Sequence, residues 1–276
     1  MNKIGEAIRE CQGLWKVVLA IYLFQFILVS TVGLQMKQIL DASIGNSLNI
    51  NDLHKGFDYT VFNDFINVHG GSFSVMYGQM RWMVLIYFIF ASFISGGTIY
   101  LLSQKRTTLT DFFKGGLTFF WKFLLLDIVF TFVILAILGI VLFIIGQLFN
   151  IAPTQFDTEL VFLRWTLLIS IISIFLIVTL TIWKIHIKFS YIDSQRSLFH
   201  SVGSGLQQFW KNKWTEVGIT FLFLALSVLL TVANYAIGDL PLLPMIILIQ
   251  SIMGLKIFWR MVYYWVIGMN GVTRKA

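Results

Sequence analysis

GLTFFWK at Gly116–Lys122 is answered by GLQQFWK at Gly205–Lys211, 89 positions later. Leu109 and Leu198 extend the match upstream, and six positions past each Trp stands an acid, Asp127 and Glu216. Each copy lies where a polar segment gives way to a long apolar run. Upstream, Leu109, Phe112, Phe113, Gly116, Leu117 and Phe120 fall on one helical face, as do Leu198, Val202, Gly205, Leu206 and Phe209. This spacing predicts a short amphipathic helix lying on the cytoplasmic interface, with Lys114 and Arg196 reaching headgroups. The anchors Trp121, Lys122, Trp210 and Lys211 then mark where the chain turns into the bilayer. Thr108 with Asp111 fits a capping box, and Asp193 or Ser194 fits a cap for the second copy. Ile4, Ile8, Cys11 and Trp15, followed by Lys16, form a weaker third copy. Residues 1–276 are expected to be a single integral membrane domain of three units, about 1–103, 104–192 and 193–276. Two spans separate the copies, so the repeats run parallel, unlike the inverted repeats of many transporters.

Composition explains why the apolar runs must be membrane spans. Of 276 residues, 58% are hydrophobic and only 12% are charged, with a mean hydropathy of +0.82. A soluble domain carries about 25% charged residues. A soluble fold of this length could not hide so much apolar surface, so lipid must cover it. In hydrocarbon every backbone polar group must pair inside the protein, which leaves helices or closed barrels. The runs are roughly 20 residues long, long enough for a helix to cross a core of about 30 Å. The expected fold is therefore all-α, a polytopic bundle of six transmembrane helices. The spans are placed near Leu14–Leu34, Trp82–Leu102, Phe119–Ile145, Trp165–Trp183, Trp214–Ile237 and Leu242–Val266. The first is longer than a signal-peptide core and lacks a clear cleavage site, so it reads as a retained span.

Orientation follows from the basic residues. With both termini on one side, that side holds 16 Lys and Arg against four on the other. The positive-inside rule makes the first side cytoplasmic. The net charge of +7 is thus a topology signal. It does not point to nucleic acid, because no compact basic and aromatic patch accompanies it. Residues 35–81 form the one long extracytoplasmic loop. Within it Asp52 could cap a short amphipathic helix carrying Leu53, Phe57, Val61 and Phe65, ended by Gly70–Gly71. That helix is either a lid over helix ends or a surface for a partner or ligand.

Charges inside spans are costly, about 2.5–3.5 kcal/mol each at the helix centre, so they call for an explanation. Asp127 and Glu216 lie at equivalent depth, and Lys256 and Arg260 on the last span could face them. The candidate site is this intramembrane cluster of Asp127, Glu216, Lys256 and Arg260. It reads as an ion-pair clamp that sets helix register, as simple snorkelling of Lys256, or as an ion, proton or headgroup site. Gln25 and Asn234 suit hydrogen bonds between helices. Ser92 with Gly96, and Ala91 with Ser95, suit close helix packing. His54 and His69 match no standard zinc spacing, and His186 and His200 read as interfacial or solvated. Cys11 is the only cysteine, which excludes an intrachain disulfide. No nucleophile elbow or phosphate loop occurs, so no catalytic, cofactor-binding or metal site is expected.

The two Gly-Leu-x-x-Phe-Trp-Lys stretches resemble bacterial six-helix proteins of the glycerophosphoryl diester phosphodiesterase membrane-domain kind. By motif the resemblance covers Gly116–Lys122 and Gly205–Lys211; by architecture it covers most of the chain. Some relatives of that kind carry a soluble phosphodiesterase domain. This chain has no such extension, so hydrolase activity is not implied. The expected function is non-enzymatic: a scaffold or accessory subunit of a transport, secretion or envelope complex in the bacterial inner membrane. The alternative is a transporter, permease or channel subunit that uses the charged cluster. Expected partners are membrane lipids, including anionic headgroups on the cytoplasmic side, and a protein partner or a second copy.

Overall fold

The structure is a computed structural model that describes residues 2–44, 59–155, 159–194, 197–236 and 242–272. Among the described residues there are seven helices and no strand. They are α1 (Asn2–Gln12), α2 (Trp15–Ile44), α3 (Tyr59–Gln104), α4 (Leu109–Gln155), α5 (Glu159–Ser194), α6 (Leu198–Ala236) and α7 (Leu242–Val272). Five are long and apolar enough to cross a membrane, or six if the bent pair Ile4–Gln12 and Trp15–Thr31 counts as one span. The sides of α4 show why lipid is needed. Only 6% of its most apolar stretch is buried inside the protein, although Leu109–Leu148 is the most hydrophobic of the spans.

Residues 1–18 with 92–276 form one compact unit, and residues 19–91 form another. In the second unit Phe24 stacks on Phe90. In the first, α5 is the central helix and packs on α4, α6 and α7, while α1 packs on α7. The buried Ala7 and Cys11 of α1 lie within this unit. Burial, and then the neighbouring Glu10 carboxylate, push the Cys11 thiol up to about 12, so it stays protonated at neutral pH.

Several boundaries differ from the sequence expectation. The region placed in an outer loop is helical wherever it is described: α2 continues to Ile44 and α3 begins at Tyr59. Gly70–Gly71 does not end a helix, because α3 runs through it. Each Gly costs a helix about 1 kcal/mol, a penalty that a helix of 46 residues absorbs. Asp52, Leu53, His54 and Phe57 lie outside the described residues.

The first repeat segment is not a separate helix either. α4 continues unbroken through Trp121–Lys122. Its buried face is continuous from Phe112 through Gly116, Phe119, Phe123 and Leu126 to Phe130, at steps of three and four. In α6 the backbone leaves helical geometry at Asn212 (φ −127°, ψ 16°), one residue after Lys211. The sharpest break is at Gly13–Leu14, where the helices turn by 76°. Capping follows the same local logic. The Asp111 backbone N–H donates to Thr108 Oγ1 at 3.1 Å, and the Thr108 hydroxyl donates to Asp111 Oδ2 at 2.7 Å. The second cap is Ser197, whose Oγ accepts from His200 N–H at 3.4 Å. Asp193 and Ser194 instead belong to the last turn of α5.

Candidate functional site

The last third of α5 reads Lys184-Ile185-His186-Ile187-Lys188. At 100° per residue, Lys184 and Lys188 share one face of the helix and His186 points the opposite way. Apolar neighbours bury the segment on both sides: Ile182, Ile185, Ile187 and Phe189 are all core residues. The three bases therefore serve two different helices.

Toward α4, Lys188 meets Asp127. Its ammonium donates to both Asp127 oxygens at 2.8 Å and to Ser95 Oγ at 2.8 Å. It also lies 5.1 Å from the Phe123 ring centroid, in cation–π geometry. Lys184 Nζ lies 3.2 Å from Asp127 Oδ1, and the Ser92 hydroxyl donates to Oδ2 at 2.7 Å. Both carboxylate oxygens are thus engaged, and Lys188 and Asp127 are each buried. Taking two ions out of water costs several kcal/mol per ion, offset only when geometry and extra hydrogen bonds are good. Here Ser92 and Ser95 supply those extra bonds. Small residues of α3 and α4 also allow close packing. A Cβ on Gly97 would lie 2.6 Å from Phe112, and one on Gly115 would lie 2.5 Å from Tyr100.

Toward α6, His186 Nε2 lies 2.7 Å from Glu216 Oε2, with the two side chains 1% and 0% exposed. One proton between them suffices for this bond. Glu216 Oε1 and His186 Nδ1 are buried and make no hydrogen bond. One helical turn on, Thr220 donates to the Glu216 carbonyl at 2.8 Å, and its hydroxyl lies 3.1 Å from Tyr263 Oη. With the Thr220 proton so committed, Tyr263 is the donor in that second bond.

The expected partners of the two acids are elsewhere. Lys256 donates to Thr231 Oγ1 at 3.0 Å. Arg260 donates from Nε and Nη2 to Tyr264 Oη at 3.2 and 3.1 Å. Asp127 and Glu216 therefore face α5, where Lys184, Lys188 and His186 meet them, and not Lys256 or Arg260 of α7. His186, expected to be interfacial or solvated, is buried against Glu216, whereas His200 is exposed. The reason is one of length. The fourth apolar run ends at Trp183, but the helix α5 continues to Ser194 and carries Lys184, His186 and Lys188 into the packed unit. Their alternation with Ile185, Ile187 and Phe189 was the available signal: a cytoplasmic tail has no need of apolar residues between its charges.

The repeated motif divides between two faces. Trp121 and Trp210 are 75% and 58% exposed. Lys122 donates to Tyr191 Oη and sits over its ring, while Lys211 is exposed. The repeated glycines point inward. A Cβ on Gly116 would lie 2.6 Å from the Phe93 ring, and one on Gly205 would lie 2.9 Å from the Ile187 backbone nitrogen. Each glycine closes its helix onto the preceding one. Trp183, which donates to Val202 carbonyl oxygen at 3.3 Å, secures the second of these contacts.

Comparison of the chain with protein families, with curated proteins and with solved structures finds no match.

Proposed function

We propose that this chain is a non-enzymatic, multi-pass protein of the bacterial inner membrane, with cytoplasmic termini, that serves as a scaffold or accessory subunit. One observation carries the reading: Asp127, the most elaborately held charge, is closed off. Lys188, Lys184 and Ser92 occupy its oxygens. A transport path would need water or substrate at that carboxylate. A saturated ion pair instead fixes how α3, α4 and α5 are rotated against one another. The outer sides favour the same reading. Leu117, Phe132 and Leu142 of α4 are each about 70% exposed, offering broad apolar surface to lipid or to another membrane protein. The parallel repeat is supported by matched burial. Gly116 and Gly205 are both buried, as are Asp127 and Glu216, while Trp121 and Trp210 are both exposed. A common architecture with the phosphodiesterase membrane-domain proteins remains part of the proposal.

The test is affinity purification from native membranes in mild detergent, with reciprocal capture of whatever co-purifies. A membrane protein present in fixed stoichiometry is expected. A chain that purifies alone and carries ions or protons across liposomes would overturn the scaffold reading. The transporter alternative draws on the second pair, in which Glu216 and His186 each keep an atom without a hydrogen bond. It expects liposome flux that Glu216→Gln abolishes.

A further inference from the structure

A cavity of about 440 Å³ lies among α5, α6 and α7, within the first unit. This is within the usual range for small-molecule sites. Along α6 it reaches from Thr220 to Thr231, about 16 Å at 1.5 Å per residue. Val178, Phe223, Leu224 and Trp259 supply apolar wall. Leu224 is 44% exposed and lies midway along the part of α6 that follows the break at Asn212, residues 213–236, so the rim meets the hydrocarbon region of the bilayer.

Two cations line this cavity, and among the described residues no carboxylate does. Lys256 is the thirteenth of the 25 residues of Pro244–Gly268, which places it at mid-depth. Its ammonium has three N–H donors, of which one goes to Thr231. Thr231 donates its own proton to the Ser227 carbonyl at 2.8 Å and can only accept from Lys256. The nearby buried acids are committed elsewhere, Asp127 to Lys184 and Lys188 and Glu216 to His186. Arg260, one turn along α7, lines the same cavity, with its guanidinium held by Tyr264. A lysine at this depth is costly unless an anion meets it.

We propose that this cavity binds an anionic membrane lipid, with the phosphate on Lys256 beside Arg260 and an acyl chain along the Val178, Phe223 and Leu224 wall. The rim decides for a lipid over free phosphate. A hydrated ion has no favourable route through hydrocarbon, whereas a lipid is dissolved in it. The length along α6 accommodates a chain, and two adjacent cations suit a phosphate. The inference goes beyond the scaffold reading and holds or fails independently of it.

The experiment uses the purified full chain in mild detergent, with lipid retention read by native mass spectrometry. The probes are phosphatidylglycerol, phosphatidylcholine and inorganic phosphate. Phosphatidylglycerol is expected to be retained about ten-fold better than phosphatidylcholine, whose choline cation offsets the phosphate charge and is repelled by Lys256 and Arg260. Lys256→Arg should keep that preference, and Lys256→Gln should lose about ten-fold. Leu224→Trp, at an exposed rim position where folding is not at stake, should lower retention by obstructing the mouth. Equal retention of the two lipids would overturn the proposal. Undiminished phosphatidylglycerol binding in both Lys256→Gln and Leu224→Trp would do so too. Displacement of the lipid by millimolar inorganic phosphate would assign the site to a free anion and sink the lipid assignment.

Discussion

Asp127 and Glu216 stand at the same place in two copies of one motif, yet their surroundings differ. Asp127 is held by two ammonium groups and a hydroxyl. Glu216 has one side-chain partner, His186, and keeps an oxygen without a hydrogen bond. The difference begins in the helix that precedes each motif. α3 approaches α4 through Ser92, Ser95, Gly96 and Gly97, residues small enough to admit hydroxyls and a lysine head. α5 approaches α6 through Ile187, whose backbone lies against Gly205, and it offers one imidazole there. An equivalent acid thus acquires a network or a single contact according to the size of the residues opposite.

This contrast is sharpest in the expected response to neutralising each acid. Asp127→Asn removes the counter-charge of a buried Lys188 that also has Lys184 beside it. Breaking such a pair typically costs about 3–5 kcal/mol. Denaturant unfolding in mild detergent should show that loss, and Lys188→Met in the same chain should recover much of it. Unaltered stability of Asp127→Asn would remove the clamp. Glu216→Gln keeps an acceptor for His186 and should cost less, about 1–2 kcal/mol by the same assay. An equal loss at both sites would mean that the two surroundings are energetically alike, whatever their geometry.

The glycines extend the comparison. Gly205→Ala drives a methyl against the Ile187 backbone, which cannot move aside. Gly116→Ala meets the far end of the Phe93 ring, which can. Overpacking should destabilise the first by about 2 kcal/mol and the second by less than about 1 kcal/mol. Thermal unfolding of the two purified variants in parallel would expose the ranking, and a reversal would show that Phe93 is the more rigid neighbour.

An effect of the opposite sign belongs to the turn between α3 and α4. Lys105 has a positive φ of 50°, and Arg106 N–H bonds back to Leu101 carbonyl oxygen at 3.0 Å, the pattern of a left-handed helix end. Lys105→Gly should stabilise the chain by about 1 kcal/mol, because glycine pays no Cβ penalty there. A fall in melting temperature would show that the lysine side chain contributes more than its backbone strain costs.

How much of this was legible beforehand depends on whether the signal was local. The Thr108 cap and the apolar helices were readable because propensity, capping and hydropathy act within a few residues. The pairing of Asp127 with Lys188 was not, because 61 positions separate them. Lys256 and Arg260 were equally plausible partners by charge and depth. The motif glycine illustrates both cases: its recurrence was visible, but its use against Phe93 and Ile187 was not.

From residue order alone came a helical, lipid-facing chain, with a motif written twice and an acid six positions past the tryptophan each time. Hydrophobicity and the 3.6-residue period carry that much, since both are properties of a segment and its solvent. Packing was needed to assign each acid its base. The rotation of a helix about its own axis, and how far it continues past its apolar core, depend on neighbours that no single segment contains.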